Sequence, residues 1–328
     1  MSTTVADQPS STFGELWDAA VVAHGDEPFL LFRSSDGVVT EWTYRKFDTA
    51  VERVVARLDA FGVGPGQSVH LALRNCPAFV ALWLAVTRIG AWMVPVDPAS
   101  VSRDIRRQIE RVSPAVGFCG ADRAEAYREG TRGSGLNVVE LNECAADLEE
   151  TGALWADTVG AWRPVVDPSD RIAVMFTSGT TAEPKGVLLT QANYVSVART
   201  MSRVVDLESR HRWSVTLPLF HANAQYFCFA SAIAAGASVA LSAGFSASGW
   251  VAQARELDVT HVSLFAAPIR MILARTPPGT PPLQLQHAWF AQNLSREHHE
   301  RFADLVGTRP RQLYGMTETL AIVCSDTR

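Results

Sequence analysis

Thr177-Ser-Gly-Thr-Thr-Ala-Glu-Pro-Lys-Gly186 lies between two apolar runs, Ile172 to Phe176 and Val187 to Leu189. Short apolar runs bounded by turn-forming residues read as strands, so the decapeptide is a loop between strand ends. Its composition suits a polyphosphate. Thr177, Ser178, Thr180 and Thr181 supply hydroxyl donors, Gly179 lets the backbone approach closely, and Lys185 adds a point charge just after the stiffening Pro184. A Walker loop needs glycine immediately before its lysine and Ser or Thr immediately after, whereas Pro184 and Gly186 occupy those places. A kinase or GTPase reading is weakened accordingly. Taken alone, the loop also fits a plain polar hairpin connection.

Outward from this loop, short apolar runs alternate with segments of helical spacing. Towards the C-terminus, strands are expected at Trp213 to Leu217, Ser238 to Leu241, His261 to Phe265 and His287 to Phe290. Helices are expected between them at Gln191 to Val204, Gln225 to Ala235, Ser246 to Leu257, Ala267 to Ala274 and Ser295 to Val306. Towards the N-terminus, Phe13 to His24 is helical and Phe29 to Phe32 and Val38 to Trp42 flank a turn like a hairpin. Tyr44 to Phe61 is a helix stopped by Gly62. Strand Ser68 to Leu73, helix Pro77 to Ile89, strand Ala91 to Pro95, helix Arg103 to Val112 and strand Ala115 to Cys119 continue the rhythm. Such alternation implies an α/β fold with parallel-rich sheets. Gly120 to Pro168 has no clear period, so two packed α/β subdomains are expected, 1–168 and 169–328.

The 328 residues, 47% hydrophobic, can bury one large core or two moderate ones. A formal net charge of -5 with scattered arginines offers no basic field, so nucleic acid is not an expected partner. The polar start, Met1 to Gln8, lacks the cationic and apolar parts of a signal peptide, which points to the cytoplasm. Ala78 to Pro95, broken by Arg88 and Gly90, is too mixed to span a bilayer and reads as a buried helix running into a strand. Five dispersed cysteines without a CxxC pair argue against a disulfide framework or a zinc site.

A second motif, Tyr314-Gly-Met-Thr-Glu-Thr319, follows about 130 residues after the loop. It combines an aromatic face for a purine, a hydroxyl for a phosphate oxygen and a hard carboxylate for Mg²⁺. Together the two segments resemble the signatures of the acyl-adenylate-forming superfamily, which includes acyl-CoA synthetases, firefly luciferases and peptide-synthetase adenylation domains. Trp42-Thr-Tyr44, Gly62 to Gly66, Arg74-Asn75 and Gly90 to Pro95 follow the family's order, so the resemblance spans almost the whole chain. In look it is nearest to carnitine and crotonobetaine CoA ligases.

The resemblance implies that a carboxylate attacks the α-phosphate of Mg·ATP to give acyl-AMP and pyrophosphate, and that coenzyme A then displaces AMP. It places catalytic roles on Thr181, Lys185, Thr317 and Glu318, with Glu318 also holding Mg²⁺. ATP or AMP would meet Thr177, Ser178, Gly179, Thr180, Ala291, Gln292, Asn293, Tyr314, Gly315 and Met316. The acid would meet His221, Asn223, Phe265, Ala266 and Ala267, with His221 as a gate rather than a catalyst. Many relatives have Gly-Ala-Pro where this chain has Ala291-Gln-Asn293, which changes the pocket chemistry. The chain ends at Arg328, before the places of the family's ribose-binding aspartate, hinge and mobile C-terminal subdomain, so the expectation is an N-terminal core that is inactive alone. A homodimer is one assembly open to it. Ala182, where most relatives have glycine, leaves open a parent that only joins coenzyme A to a preformed acyl-adenylate. A non-catalytic adenylate-binding module is the other alternative, against which Lys185, Thr317 and Glu318 together speak.

Overall fold

The structure, a computed structural model, describes residues 10–157, 159, 163–177, 185–320 and 322–325. Its strands are β1 (Pro28–Arg33), β2 (Val39–Thr43), β3 (Ser68–Ala72), β4 (Trp92–Pro95), β5 (Val116–Gly120), β6 (Asn137–Leu141), β7 (Arg171–Thr177) and β8 (Lys185–Thr190). They continue with β9 (Arg212–Val215), β10 (Ser238–Ser242), β11 (His261–Phe265), β12 (His287–Ala291), β13 (Arg311–Tyr314) and β14 (Cys324–Ser325). One sheet runs β6-β5-β3-β4-β7-β8 and the other β14-β13-β12-β11-β9-β10-β1-β2. Pairing is parallel except for β1 with β2, β7 with β8, and β13 with β14. The parallel-rich α/β expectation holds.

The helices begin where side chains satisfy the first free backbone N–H groups. In α1 (Phe13–His24), Thr12 Oγ1 accepts from Glu15 N at 3.1 Å while the Glu15 carboxylate accepts from Thr12 N at 3.0 Å. Thr43 caps α2 (Tyr44–Ala60), after which Gly62 takes a φ of +77° that ends the helix. Pro77 opens α3 (Pro77–Arg88), all twelve residues of which are buried. A helix apolar all round belongs inside, and α3 packs beside α1 and α2 in the main core. Phe13 stacks on Trp83 of α3 at 5.4 Å, and Trp83 meets Phe229 at 6.2 Å. Arg88, at the end of α3, reaches Asp18 of α1 and Asp48 and Glu52 of α2.

Gly120 to Pro168, featureless by period, contains α5 (Ala124–Thr131) and the edge strand β6, preceded in the chain by α4 (Ser102–Val112). β6 is only partly buried, so it lacks the apolar run that marks the inner strands. α6 (Gln191–Val204) matches its expected bounds. The expected helix Gln225 to Ala235 instead starts at Asn223 as a π-helix, Asn223–Ala230, and tightens into α7 (Ser231–Ala235). α8 (Trp250–Glu256) is shorter than expected, while α9 (Ala266–Arg275) and α10 (Arg296–Val306) fall where expected.

The sheets do not sort at residue 168. The hairpin β1-β2 adds to β10 of the later sheet, and β7-β8 adds to β4 of the earlier one. Each sheet therefore takes strands from both sides of the expected cut. No helix among the described residues is long and apolar enough to cross a membrane.

Candidate active site

Four parallel neighbours, β13, β12, β11 and β9, bring their carboxyl ends to one edge of the larger sheet. Ligands of open α/β sheets gather at such an edge, beyond the last strand residues. A cleft of about 230 Å³ lies there. Phe265 ends β11, Ala291 ends β12, and Gly315, Met316 and Thr317 follow β13. His221 and Asn223, on the segment after β9, close the opposite side.

That segment is held from the other sheet. Asn75, buried just after β3, donates through Nδ2 to Leu217 O at 3.0 Å and Ser242 O at 3.2 Å, and its Oδ1 accepts from Leu219 N at 2.8 Å. One amide thus clips the carboxyl ends of β3, β9 and β10 together, and fixes the path into His221. The His221 ring lies 4.3 Å from Phe220. The residue is exposed at the cleft rim, and the desolvation of its inner side pushes the imidazole below its ordinary value, opposed by the carboxylate of Asp97 beyond β4.

The π-helix forms the inner wall. Its wider turn, with bonds one residue longer than in an α-helix, is rare and frequent at functional sites. Asn223 and Phe227 face the cleft from it. Gln225, between them, is fixed by Tyr194, whose hydroxyl donates to Gln225 Oε1 at 2.6 Å, and by its own Nε2 donating to Leu219 O at 2.5 Å. Tyr226 donates to Met175 Sδ at 3.5 Å, tying the wall to β7, the strand that leads into Thr177. Burial pushes the Tyr226 phenol up, and the negative charge of Glu318 adds to it, which puts Glu318 within electrostatic reach of this wall.

The second motif sits at the mouth. Tyr314 is 54% exposed at the end of β13, a free aromatic face. Thr317–Thr319 forms a short 3₁₀ turn in which Thr319 Oγ1 accepts from Met316 N at 3.0 Å. This turn leaves Glu318 exposed, with no ion pair to any described residue. Gln292 holds a φ of +73°, a left-handed conformation that a side chain makes costly, and its carbonyl accepts from Gln312 Nε2 at 2.9 Å. Asn293 is exposed, its carbonyl near Arg270.

Of the expected residues, His221, Asn223, Phe265, Ala291, Gly315, Met316 and Thr317 line one cleft. Ala266 instead is buried in the first turn of α9, and Ala267 faces outward on it. Ser178, Gly179, Thr180 and Thr181 lie outside the described residues. The ends of their loop are described: β7 and β8 form an antiparallel hairpin in which Thr177 pairs with Lys185. The hairpin reading and the phosphate-loop reading are therefore compatible. Ala222, Phe227 and Leu313 complete the lining without having been foreseen, since apolar pocket residues look like core residues in a sequence.

The cleft lies at the carboxyl ends of a parallel-rich sheet, where ligands of open α/β folds bind, with the exposed side chains of Tyr314 and Glu318 next in the chain to its lining. The family model described as AMP-binding enzyme matches residues 17–328, and the chain belongs to that family. A crotonobetaine/carnitine–CoA ligase of Salmonella paratyphi A is 26% identical over 324 residues, covering 95% of this chain and 62% of that protein. The chain thus spans less than two thirds of the length of the curated relatives it matches. Among solved structures, a long-chain-fatty-acid–CoA ligase from Archaeoglobus fulgidus superposes with a TM-score of 0.83 at 16% identity, covering 99% of this chain and 68% of that one. ATP-bound MatB from Rhodopseudomonas palustris gives 0.80 at 20% identity, covering 95% and 61%. These likenesses establish the shared fold.

Proposed function

We propose that the chain is the nucleotide- and acyl-binding core of an AMP-forming acid–thiol ligase. Family membership supports this reading, as do the names of the relatives, which are CoA ligases. The observation that carries it is that Gly315, Met316 and Thr317 of the second motif line one cleft with Asn223 and Phe227 of the π-helix, while Tyr314 and Glu318 stand next to them in the chain with exposed side chains. The platform would stack adenine, the Thr317 hydroxyl would donate to an α-phosphate oxygen, and Lys185 would draw the phosphate chain from the hairpin. The acid would enter past His221 and lie against Phe265 and Phe227, its carboxylate aimed at the α-phosphorus. Holding both reactants in that geometry supplies much of the rate by itself.

Glu318 fits Mg²⁺, because one exposed carboxylate, without an ion-pair partner among the described residues, is a usual protein share of its coordination when substrate phosphates supply the rest. Glu318 would hold it, and the ion when bound would neutralise charge on the phosphates. Coenzyme A is the acceptor that the relatives' names support.

The test uses the full-length protein that carries this core. Acid-dependent pyrophosphate release from ATP, followed by CoA-dependent AMP release, is the expected result. Conversion of supplied acyl-AMP to a thioester without any release of pyrophosphate from ATP would instead establish the thioester-only alternative.

A further inference from the structure

Strands β12 and β13 diverge at the cleft. β12 stays paired with β11 as far as Ala291, opposite Phe265, but its pairing with β13 ends one residue earlier, at Phe290 opposite Gln312. Beyond that point Leu313 and Tyr314 of β13 pair with β14. The crevice so opened is lined by Ala291 from one strand and by Leu313 and Gly315 from the other. The Gln312 side chain ties its two sides together, with Nε2 donating to the Gln292 carbonyl at 2.9 Å.

Gln292 is also where the backbone is strained. Its φ of +73° lies in the left-handed region, which is costly for a residue with a Cβ and costs glycine little. Ser113, Asp206 and Asp258 take similar values just after α4, α6 and α8, an ordinary way for a helix to end. Gln292 does so straight after a strand, beside the cleft. Strain of this kind persists where the surroundings hold it, and it concentrates at ligand sites. Here the Gln312 amide is placed to hold it.

We propose that Gln312 is a positioning residue for the adenylate. It fixes the Gln292 carbonyl and so keeps the left-handed turn, and the turn sets how far Ala291 stands from Gly315. This rests on the ligase reading above, in which the adenylate runs past Gly315 from Tyr314 to Thr317. Without the amide, Gln292 relaxes to a negative φ, the end of β12 shifts, and the nucleotide meets a crevice of the wrong width. Gln312 acts through Gln292 rather than on the ligand itself.

The test is AMP binding by the full-length protein, measured by calorimetry, with melting temperatures to check folding. Gln312→Leu, and Gln312→Glu of the same shape but without the donor, are each expected to weaken AMP binding about tenfold. Gln292→Gly takes the left-handed turn without strain and should still bind AMP. In that background the turn no longer needs its tether, so adding Gln312→Leu is expected to change AMP binding by about twofold at most. A merely structural role would lower the melting temperature and show no such rescue. Unchanged AMP binding by both Gln312 variants would overturn the proposal. So would a double variant weakened as much as Gln312→Leu alone, or loss of AMP binding in Gln292→Gly. Failure of the unmodified protein to bind AMP or ATP would overturn the ligase reading and this proposal with it.

Discussion

Glu318 and Asn75 make opposite kinds of contribution, one chemical and one positional. Glu318 is exposed, so Glu318→Gln should leave stability within about 0.5 kcal/mol. It should nevertheless lower acid-dependent pyrophosphate release by about a hundredfold or more in the full-length protein, measured at saturating ATP. Unchanged turnover would remove Glu318 from the chemistry. Asn75 never reaches the cleft, but Asn75→Ala would leave Leu219 N, Leu217 O and Ser242 O without their side-chain partner. A loss of about 2–4 kcal/mol in urea unfolding is expected. Loss below 1 kcal/mol would mean that the β3, β9 and β10 ends do not depend on this clip. At this scale Gly315, Met316 and Thr317 were legible as cleft residues, because they belong to a spaced motif. Phe227, Leu313 and Ala222 were not, because nothing in an apolar residue's identity separates a cavity wall from a packed interior.

Elements were legible where both their caps and their faces were written locally. Thr12 with Glu15, and Thr190 with Asn193, mark the starts of α1 and α6, whose bounds agree with the helical spacing. The π-helix Asn223–Ala230 carries no such mark, and the side chains on it are bonded to Tyr194, Leu219 and Met175 outside it. Helix α3 depends on its surroundings in another way. Its Arg88 side chain, 3% exposed, pairs with Asp48 at 2.7 Å and Glu52 at 2.6 Å, besides Asp18, while Arg163 pairs with Asp18 and Glu52 from the segment before β7. Arg88→Met would take the ion-pair partner from Asp48 and place an apolar side chain among three carboxylates, of which Asp18 and Glu52 keep Arg163. The expected cost is about 3–5 kcal/mol, read from denaturant unfolding, and a near-neutral result would contradict the structural role given to this cluster.

For the whole molecule, the long-range joins were the illegible part. Nothing near Phe29 or Ile172 says that the hairpins β1-β2 and β7-β8 each complete a sheet begun elsewhere, because such exchange depends on partners far away in the chain. The same long-range packing sets the acid limit of the fold. His261 and His287 stand at the amino ends of β11 and β12, the edge opposite the cleft, with ring centroids 5.9 Å apart and His211 against His261 at 4.8 Å. Burial pushes His261 and His287 down to about 3, with neighbouring positive charge adding to the effect, and burial pushes His70 down to about 4. As pH falls from about 6.5, the unfolded chain takes up these protons and the folded chain does not, so stability is present above that pH and is lost toward 3. Each histidine contributes about a tenfold fall in the folding equilibrium per pH unit in that window. His287→Phe should flatten the pH dependence of the urea midpoint by about one proton; an unchanged slope would mean that His287 titrates normally in the folded chain.

The central claim is that the edge formed by β9, β11, β12 and β13 holds an acyl-adenylate. A crystal structure of the full-length protein with a non-hydrolysable acyl-sulfamoyl adenosine addresses it most directly. The adenine should stack on Tyr314, the sulfamoyl group should lie within hydrogen-bond reach of Thr317, and the acyl chain should run between His221 and Phe265 toward Asn223. An analogue bound anywhere else on the chain, with this cleft left to solvent, would contradict the account.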